Sequence, residues 1–232
     1  MELPENRQAG ILLKRYKRFL ADVLLEDQQA ITVHCPNSGS MRGCSQPGSP
    51  VVISYSASKT RKYAWTLEMV QQEGVWIGVN TSRTNALVRE GLLSGVITDF
   101  GVVRHFRQEV VVSAASRLDF LVDSSQGRFY VEVKNCSMAE GGIALFPDAV
   151  TARGTKHLHE LVRLAGQGHN AAVLFCVQRQ DVHTWQPARE IDPVYAETVA
   201  WACRQGVHII AYKAEVAPHG ITITGKIAVI AE

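Results

Sequence analysis

Apolar and polar positions alternate through residues 117–122 and again through 128–134, and the segment between them, Asp123-Ser124-Ser125-Gln126-Gly127, is rich in turn formers. Period-two alternation marks a half-buried strand, and two such runs around a short polar turn predict a β-hairpin. Upstream, residues 18–25, 30–34, 51–55, 65–70 and 75–79 read as short strands, with 65–70 equally compatible with a helix. Turn residues separate them at Pro36-Asn37-Ser38-Gly39, Gln46-Pro47-Gly48-Ser49-Pro50 and Glu73-Gly74. Short strands at this density predict a small β-barrel of the OB kind, a fold often used on nucleic acids.

The texture changes near residues 80–82, and a boundary placed there gives an OB-like barrel over 1–81 and an α/β domain over 82–232. Thr81 or Ser82 is positioned to cap a helix running to about Leu93, with Leu87, Glu90 and Leu93 spaced to share a side. A strand over 102–112 leads into the hairpin, and 139–150 reads as a loop. A helix over 155–167, an apolar strand over 171–177, a helix capped by Asp192 with Pro193 at its first position, and a strand over 207–212 follow. Strand, helix, strand with apolar runs predicts a mixed, partly parallel sheet. Residues 221–229 read as a last edge strand that could return to the barrel.

The hairpin carries the candidate chemistry. Pairing Asp119 with Glu132 centres the turn between Ser125 and Gln126, inside the segment that composition picks. In that register their Cβ atoms would lie about 5 Å apart, and Lys134 would share the face of Glu132. Two carboxylates so close suit a hard cation, Mg²⁺ or Mn²⁺, and a neighbouring lysine suits phosphodiester chemistry. The same three residues also fit a solvated cross-strand ion-pair cluster, and spacing does not choose between the two.

Composition narrows the classes. With 232 residues, 46% of them hydrophobic, the chain can bury a sizeable core. It holds no run of about 18 apolar residues, and residues 1–9 are polar, so a cytoplasmic protein without a membrane span is expected. Five widely spaced cysteines, Cys35, Cys44, Cys136, Cys176 and Cys203, without a Cys-x-x-Cys pair, support neither a disulfide framework nor a structural zinc site. His34, Cys35 and Cys44 are three potential ligands without a fourth, the usual sign of packing residues.

A net charge of +2 is too small to imply nucleic acid, so local clusters must carry that reading. Lys14, Arg15, Tyr16, Lys17, Arg18 and Phe19 put four cations and two aromatics in six residues, and Arg61 and Lys62 before Tyr63 repeat the mix. Cations neutralise phosphates and rings stack on bases. Arg153, Lys156 and His157 cluster at the start of the 155–167 helix, where free amides favour phosphate.

The chain resembles the sugar fermentation stimulation protein A family. The likeness rests on Lys-Arg-Tyr-Lys-Arg-Phe-Leu-Ala-Asp-Val at 14–23, His-Cys-Pro-Asn-Ser-Gly-Ser-Met at 34–41, Val-Asn-Thr at 79–81 and Ser-Arg-Leu-Asp-Phe at 116–120. Val-Glu-Val-Lys at 131–134 and Phe-Pro-Asp-Ala-Val-Thr-x-Arg-Gly-x-Lys-His-Leu at 146–158 complete it. The resemblance implies an OB-like domain followed by a PD-(D/E)xK nuclease-like domain, and a DNA-binding protein without sequence preference, linked by name to sugar, especially maltose, metabolism. On that pattern Asp119 is implied as the metal-binding Asp, Glu132 and Lys134 as the Glu-x-Lys, with Leu118 where the signature has Pro. Pro147-Asp148 follows in the wrong order for that role and reads as a loop beside the substrate or metal. The pattern also implies an acid from a preceding helix, for which Glu90 is the candidate and Glu109 the competitor. The alternative to binding alone is a metal-dependent nuclease acting on DNA or RNA.

Overall fold

The computed structural model describes residues 1–113 and 116–231. Strands β1 (Arg7–Tyr16), β2 (Leu20–Leu25), β3 (Ala30–His34), β4 (Pro50–Tyr55), β5 (Trp65–Gln72) and β6 (Val75–Gly78) form one sheet in the order β3-β2-β1-β4-β5-β6. A parallel bridge between His34 on β3 and Thr66 on β5 closes five of them into a barrel. Inside it lie Leu12, Val23, Val33, Ile53, Leu67 and Ile77, with Cys35 and Cys44 among them. Gly10 is what lets β1 and β2 approach, since a β-carbon there would stand 2.5 Å from Val23 Cγ1. The ambiguous 65–70 run is a strand. β1 is the element that the apolar pattern does not announce, because exposed Ile11 and Leu13 flank buried Leu12 and the register shifts between Leu12 and Lys14, so its apolar positions do not alternate; Arg18, expected in β2, sits instead in the β1–β2 turn at φ +61°.

A short 3₁₀ turn, Thr81–Arg83, precedes α1 (Thr84–Leu93). The capping side chain is that of Asn80, which accepts from Ser82 N at 3.1 Å, rather than Thr81 or Ser82. Leu87 is buried while Leu93 is 65% exposed, so the side expected for Leu87, Glu90 and Leu93 is not the buried one.

Strands β7 (Val103–Ser113), β8 (Ser116–Ser124) and β9 (Gly127–Cys136) are followed by β10 (Met138–Glu140), β11 (Ile143–Phe146), α2 (Ala152–Gly166), β12 (Asn170–Val177), β13 (Thr184–Pro187), α3 (Pro193–Arg204), β14 (His208–Ala217), β15 (Gly220–Lys226) and β16 (Ala228–Val229). The main sheet runs β15-β14-β12-β9-β8-β7, with β9, β12 and β14 mutually parallel and the outer strands antiparallel. Alternate residues of β12 feed opposite layers: Ala172, Leu174 and Cys176 pack with Leu87, Val88 and Leu92 of α1, while Val173, Phe175 and Val177 pack with Leu158 and Leu161 of α2 and Val199 of α3. The result is a mixed sheet sandwiched by helices, beside the antiparallel N-terminal barrel. Asp192 caps α3 by accepting from Tyr195 N at 2.9 Å. Two expectations need correction. Residues 139–150 contain β10 and β11 of a second sheet, β10-β11-β13-β16, and β15 pairs with β14 rather than with the barrel. No helix is long and apolar enough to cross a membrane among the described residues.

Candidate metal and nucleic-acid site

The hairpin has the expected register. Phe120 pairs with Val131 and Ser124 with Gly127, leaving Ser125 and Gln126 as its two-residue turn. The ladder stops at Phe120, one residue short of Asp119, and there the strands part. Asp119 Oδ2 spans the gap to accept from Val133 N at 2.8 Å, and Asn85 Nδ2 of α1 donates to Oδ1 at 2.8 Å. On the other flank the β7–β8 ladder passes over Glu109, which adopts φ +56°. Around Asp119 the strand changes its apolar side: Phe120 and Val122 join the α1 layer, and Leu118 joins the α2 layer.

Glu132, in the middle of β9 and 3% exposed, is held from two directions. Lys134 Nζ donates to its Oε1 at 2.5 Å, and His157 Nδ1 of α2 makes a short contact to the same oxygen. Oε2 is buried with no protein partner. The two carboxyls are driven apart in acidity. Burial, and then the charge of Glu132, push Asp119 above its ordinary range, against hydrogen bonds from Val133 and Asn85. Burial would raise Glu132 as well, but the His157 hydrogen bond and the Lys134 charge outweigh it and hold Glu132 low.

Asp119 and Lys134 line a polar cavity of about 450 Å³ between barrel and α/β domain. Its opposite wall is the loop carrying Asn37, Ser38 and Gly39, with Arg18 at the side. That loop is heavily tied. Arg15 donates to the carbonyls of Asn37, Gly39 and Ser40, Arg18 to that of Ser38, and Thr81 Oγ1 to that of Pro36. Across the domains, Asp148 Oδ2 accepts from Met41 N at 2.8 Å and its carbonyl accepts from Ser40 Oγ at 2.5 Å. Gly39 is needed there, because a β-carbon would collide with the Asp148 carboxylate. Pro147-Asp148 thus joins the domains beside the cavity. Below the barrel, buried Glu68 binds Arg83 Nε at 2.6 Å and Nη2 at 2.7 Å, Asn80 Nδ2 at 2.9 Å, and Ser54 through a short contact.

Several expected residues fall elsewhere. Glu90 lies about 140° around the helix from Asn85, and its carboxylate binds the Met1 ammonium at 2.7 Å, away from the cavity. Glu109 faces outward and pairs with Arg117 at 2.6 Å. The position facing Asp119 from α1 is held by an amide, Asn85, which spacing alone did not single out. His157, expected to meet phosphate, is instead buried against Glu132, because α2 packs its first turns onto the sheet. Arg15 is committed to loop carbonyls. Lys14 leans on Asp22 at 3.3 Å and over the ring of Tyr16, whose hydroxyl donates to Asp22. Lys17 is exposed in the turn at φ +48°. Arg61 donates to Thr66 and Lys62 lies over Tyr63. Arg153, Lys156 and Arg117 line a separate cavity of about 480 Å³ on the far side of His157.

The donor set suits a divalent cation. Asp119 is an acid whose ionised form is disfavoured until a positive charge arrives, and Glu132 is already ionised with one oxygen unused. Among the described residues no group of three or more His, Cys, Asp or Glu gathers, so oxygens of other kinds would have to complete the shell.

Comparison with known proteins follows the same division. A family model described as the SfsA N-terminal OB domain matches residues 13–79, and one described as the sugar fermentation stimulation protein RE domain matches residues 82–220. A sugar fermentation stimulation protein homolog from Desulfotalea psychrophila is 52% identical over 216 residues, 93% of this chain and 92% of that one. One from Geobacter sulfurreducens is 47% identical over 231 residues, 100% of this chain and 99% of that one. The structure of Pyrococcus furiosus SfsA in complex with Ca²⁺ is similar with a TM-score of 0.90 at 26% identity, covering 99% of this chain and 98% of that chain. With both models matched in order and about half of all residues shared along nearly its whole length, the chain belongs to the sugar fermentation stimulation protein family, and Asp119, Glu132 and Lys134 lie in its RE (restriction endonuclease-like) domain.

Proposed function

We propose that this chain binds DNA without reading its sequence, and that Asp119 and Glu132 hold a divalent cation, Mg²⁺ or Mn²⁺, where the DNA backbone passes. The observation that carries the proposal is the carboxylate pair: Asp119 on the wall of a polar cavity, Glu132 behind it with Oε2 unpartnered. Ca²⁺ bound to the Pyrococcus furiosus relative supports a divalent site. Phosphate contacts position a duplex or strand but carry no sequence information, and the cations on offer, Lys14 near the end of β1 and Lys17 and Arg18 in the β1–β2 turn, lie on a barrel hairpin rather than on a groove-reading helix. A regulatory effect on sugar use, which the relatives' name carries, would act through this binding.

A second reading, a metal-dependent phosphodiesterase, is favoured by Lys134. Lys134 lines the cavity and its ammonium touches Glu132, where it can orient a water and steady charge on a phosphate oxygen. A bound cation would add Lewis-acid stabilisation of that charge. Asn85 and Val133 hold Asp119 in place; His157 holds Glu132.

Labelled single-stranded, duplex and branched DNA incubated with Mg²⁺ or Mn²⁺ tests both readings. Binding without cleavage supports the first alone. Cleavage lost in Asp119→Asn and in Lys134→Ala establishes turnover, and absence of binding to every form refutes both.

A further inference from the structure

The cavity at Asp119 has a roof, and the roof is fixed. The 37–41 loop is pinned to its own barrel by Arg15 and Arg18, toward the linker by Asn37, whose Nδ2 donates to the Val79 carbonyl, and to the α/β domain by Asp148. Beneath it the space is about 450 Å³, within the size range of roughly 300–1,000 Å³ that accepts one small ligand. One nucleotide fits there. A duplex, whose major groove alone is about 12 Å wide, does not.

Just outside the roof the β1–β2 turn presents a different surface. Phe19 is 46% exposed, next to Arg18 at the cavity's edge and to exposed Lys17. A ring open to solvent beside two cations is the pairing that single-stranded nucleic acid uses: bases stack on the aromatic while the backbone follows the charge. Asn85 and Asn135 line the interior with amides; Asn85 Nδ2 is taken by Asp119 and Asn135 Oδ1 by Thr84 and Gln178, which leaves Asn85 Oδ1 and Asn135 Nδ2 to hydrogen-bond base edges once the bases are unpaired.

Resting on the DNA-binding reading above, we infer that the ligand is single-stranded DNA, entering past Phe19 and Arg18 and passing beneath the 37–41 loop to Asp119. A duplex engages only through an unpaired tail. The strand therefore reaches the Asp119 carboxylate one nucleotide at a time, and blunt duplex is held on the outer cations alone.

Fluorescence anisotropy in Ca²⁺, with a labelled 20-nucleotide oligothymidine, a blunt duplex of equal length and the same duplex bearing a single-stranded tail, tests this. Single-stranded and tailed DNA should bind at least tenfold more tightly than blunt duplex. Phe19→Ala should weaken single-strand binding about tenfold, a typical loss for one stacked base, and leave the duplex nearly unchanged. Asp148→Ala, and separately Gly39→Ala, should loosen the roof and narrow the preference, with folding checked by circular dichroism. Equal or tighter binding of blunt duplex by the unmodified protein, or a Phe19→Ala protein with undiminished single-strand binding, would overturn the inference while leaving DNA binding intact. No binding of any form would instead bring down the underlying reading, and the inference with it.

Discussion

Asp119 Oδ2 accepts from the main-chain amide of Val133 at 2.8 Å at the point where β8 and β9 cease to pair. The hydrogen bond replaces a missing rung of the ladder, so the carboxylate is anchored to the strand that carries Glu132 and Lys134 rather than left to solvent. This geometry makes the two acids respond to pH in opposite senses.

Asp119 titrates above its ordinary range in the fold, so the stability it contributes is present in acid, below the usual carboxylate pKa, and is lost as pH rises through the raised value. Asp119→Asn should therefore melt higher than the unmodified protein at pH 8 in EDTA, with the difference gone near pH 4. Glu132 is held low, and its contribution is present above the usual range and lost as pH falls through the depressed value. Glu132→Gln should cost about 2 kcal/mol near pH 7, the worth of hydrogen bonds to a charged group, and progressively less in acid. Thermal melts from pH 4 to 8 read both; equal signs for the two variants would contradict the assignment.

The junction beneath the barrel depends on a buried pair. Arg83→Ala strips Glu68, 1% exposed at its side chain, of its guanidinium. Asn80 and Ser54 still bond the carboxylate, but a loss of about 3 kcal/mol is expected, as for other buried charges that lose their counter-charge, and urea unfolding measures it.

The hairpin was legible because its information is local: alternation sets the faces and the polar segment sets the turn, which together fix the 120–131 register. The OB barrel was legible for the same reason, except for β1, where exposed Ile11 and Leu13 beside buried Leu12 break the alternation and Lys14 and Arg15 read as part of a charge run. Glu90 misled because a helix's rotation is set by which residues it buries, and Leu87 and Val88 turn it toward the main sheet and away from the cavity. His157 could not be read from spacing at all. Its role arises only when α2 folds back across β9, bringing together residues 25 apart in sequence.

His157 steadies the same Glu132 oxygen that Lys134 holds. His157→Asn keeps a donor near the Nδ1 position, whereas His157→Leu removes it. Cation affinity should fall by roughly 10–100-fold in the leucine variant and less in the asparagine variant, as followed by terbium luminescence. Equal losses would reduce His157 to packing.

Exposed cations on the β1–β2 hairpin should set the salt dependence of DNA binding. Lys14→Ala combined with Lys17→Ala should lower the slope of log affinity against log salt by about 0.7 for each phosphate that a single strand no longer has neutralised. Arg15→Ala, by contrast, should act on stability, since its guanidinium is bonded to four main-chain carbonyls. Anisotropy titrations at several salt concentrations separate the two effects.

Calorimetric titration of Mn²⁺ into the metal-free protein tests the central claim most directly. A single site is predicted, lost in Asp119→Asn and in Glu132→Gln while both variants keep their circular dichroism. Unchanged Mn²⁺ binding in those variants, or none in the unmodified protein, would contradict a divalent-cation site at Asp119 and Glu132.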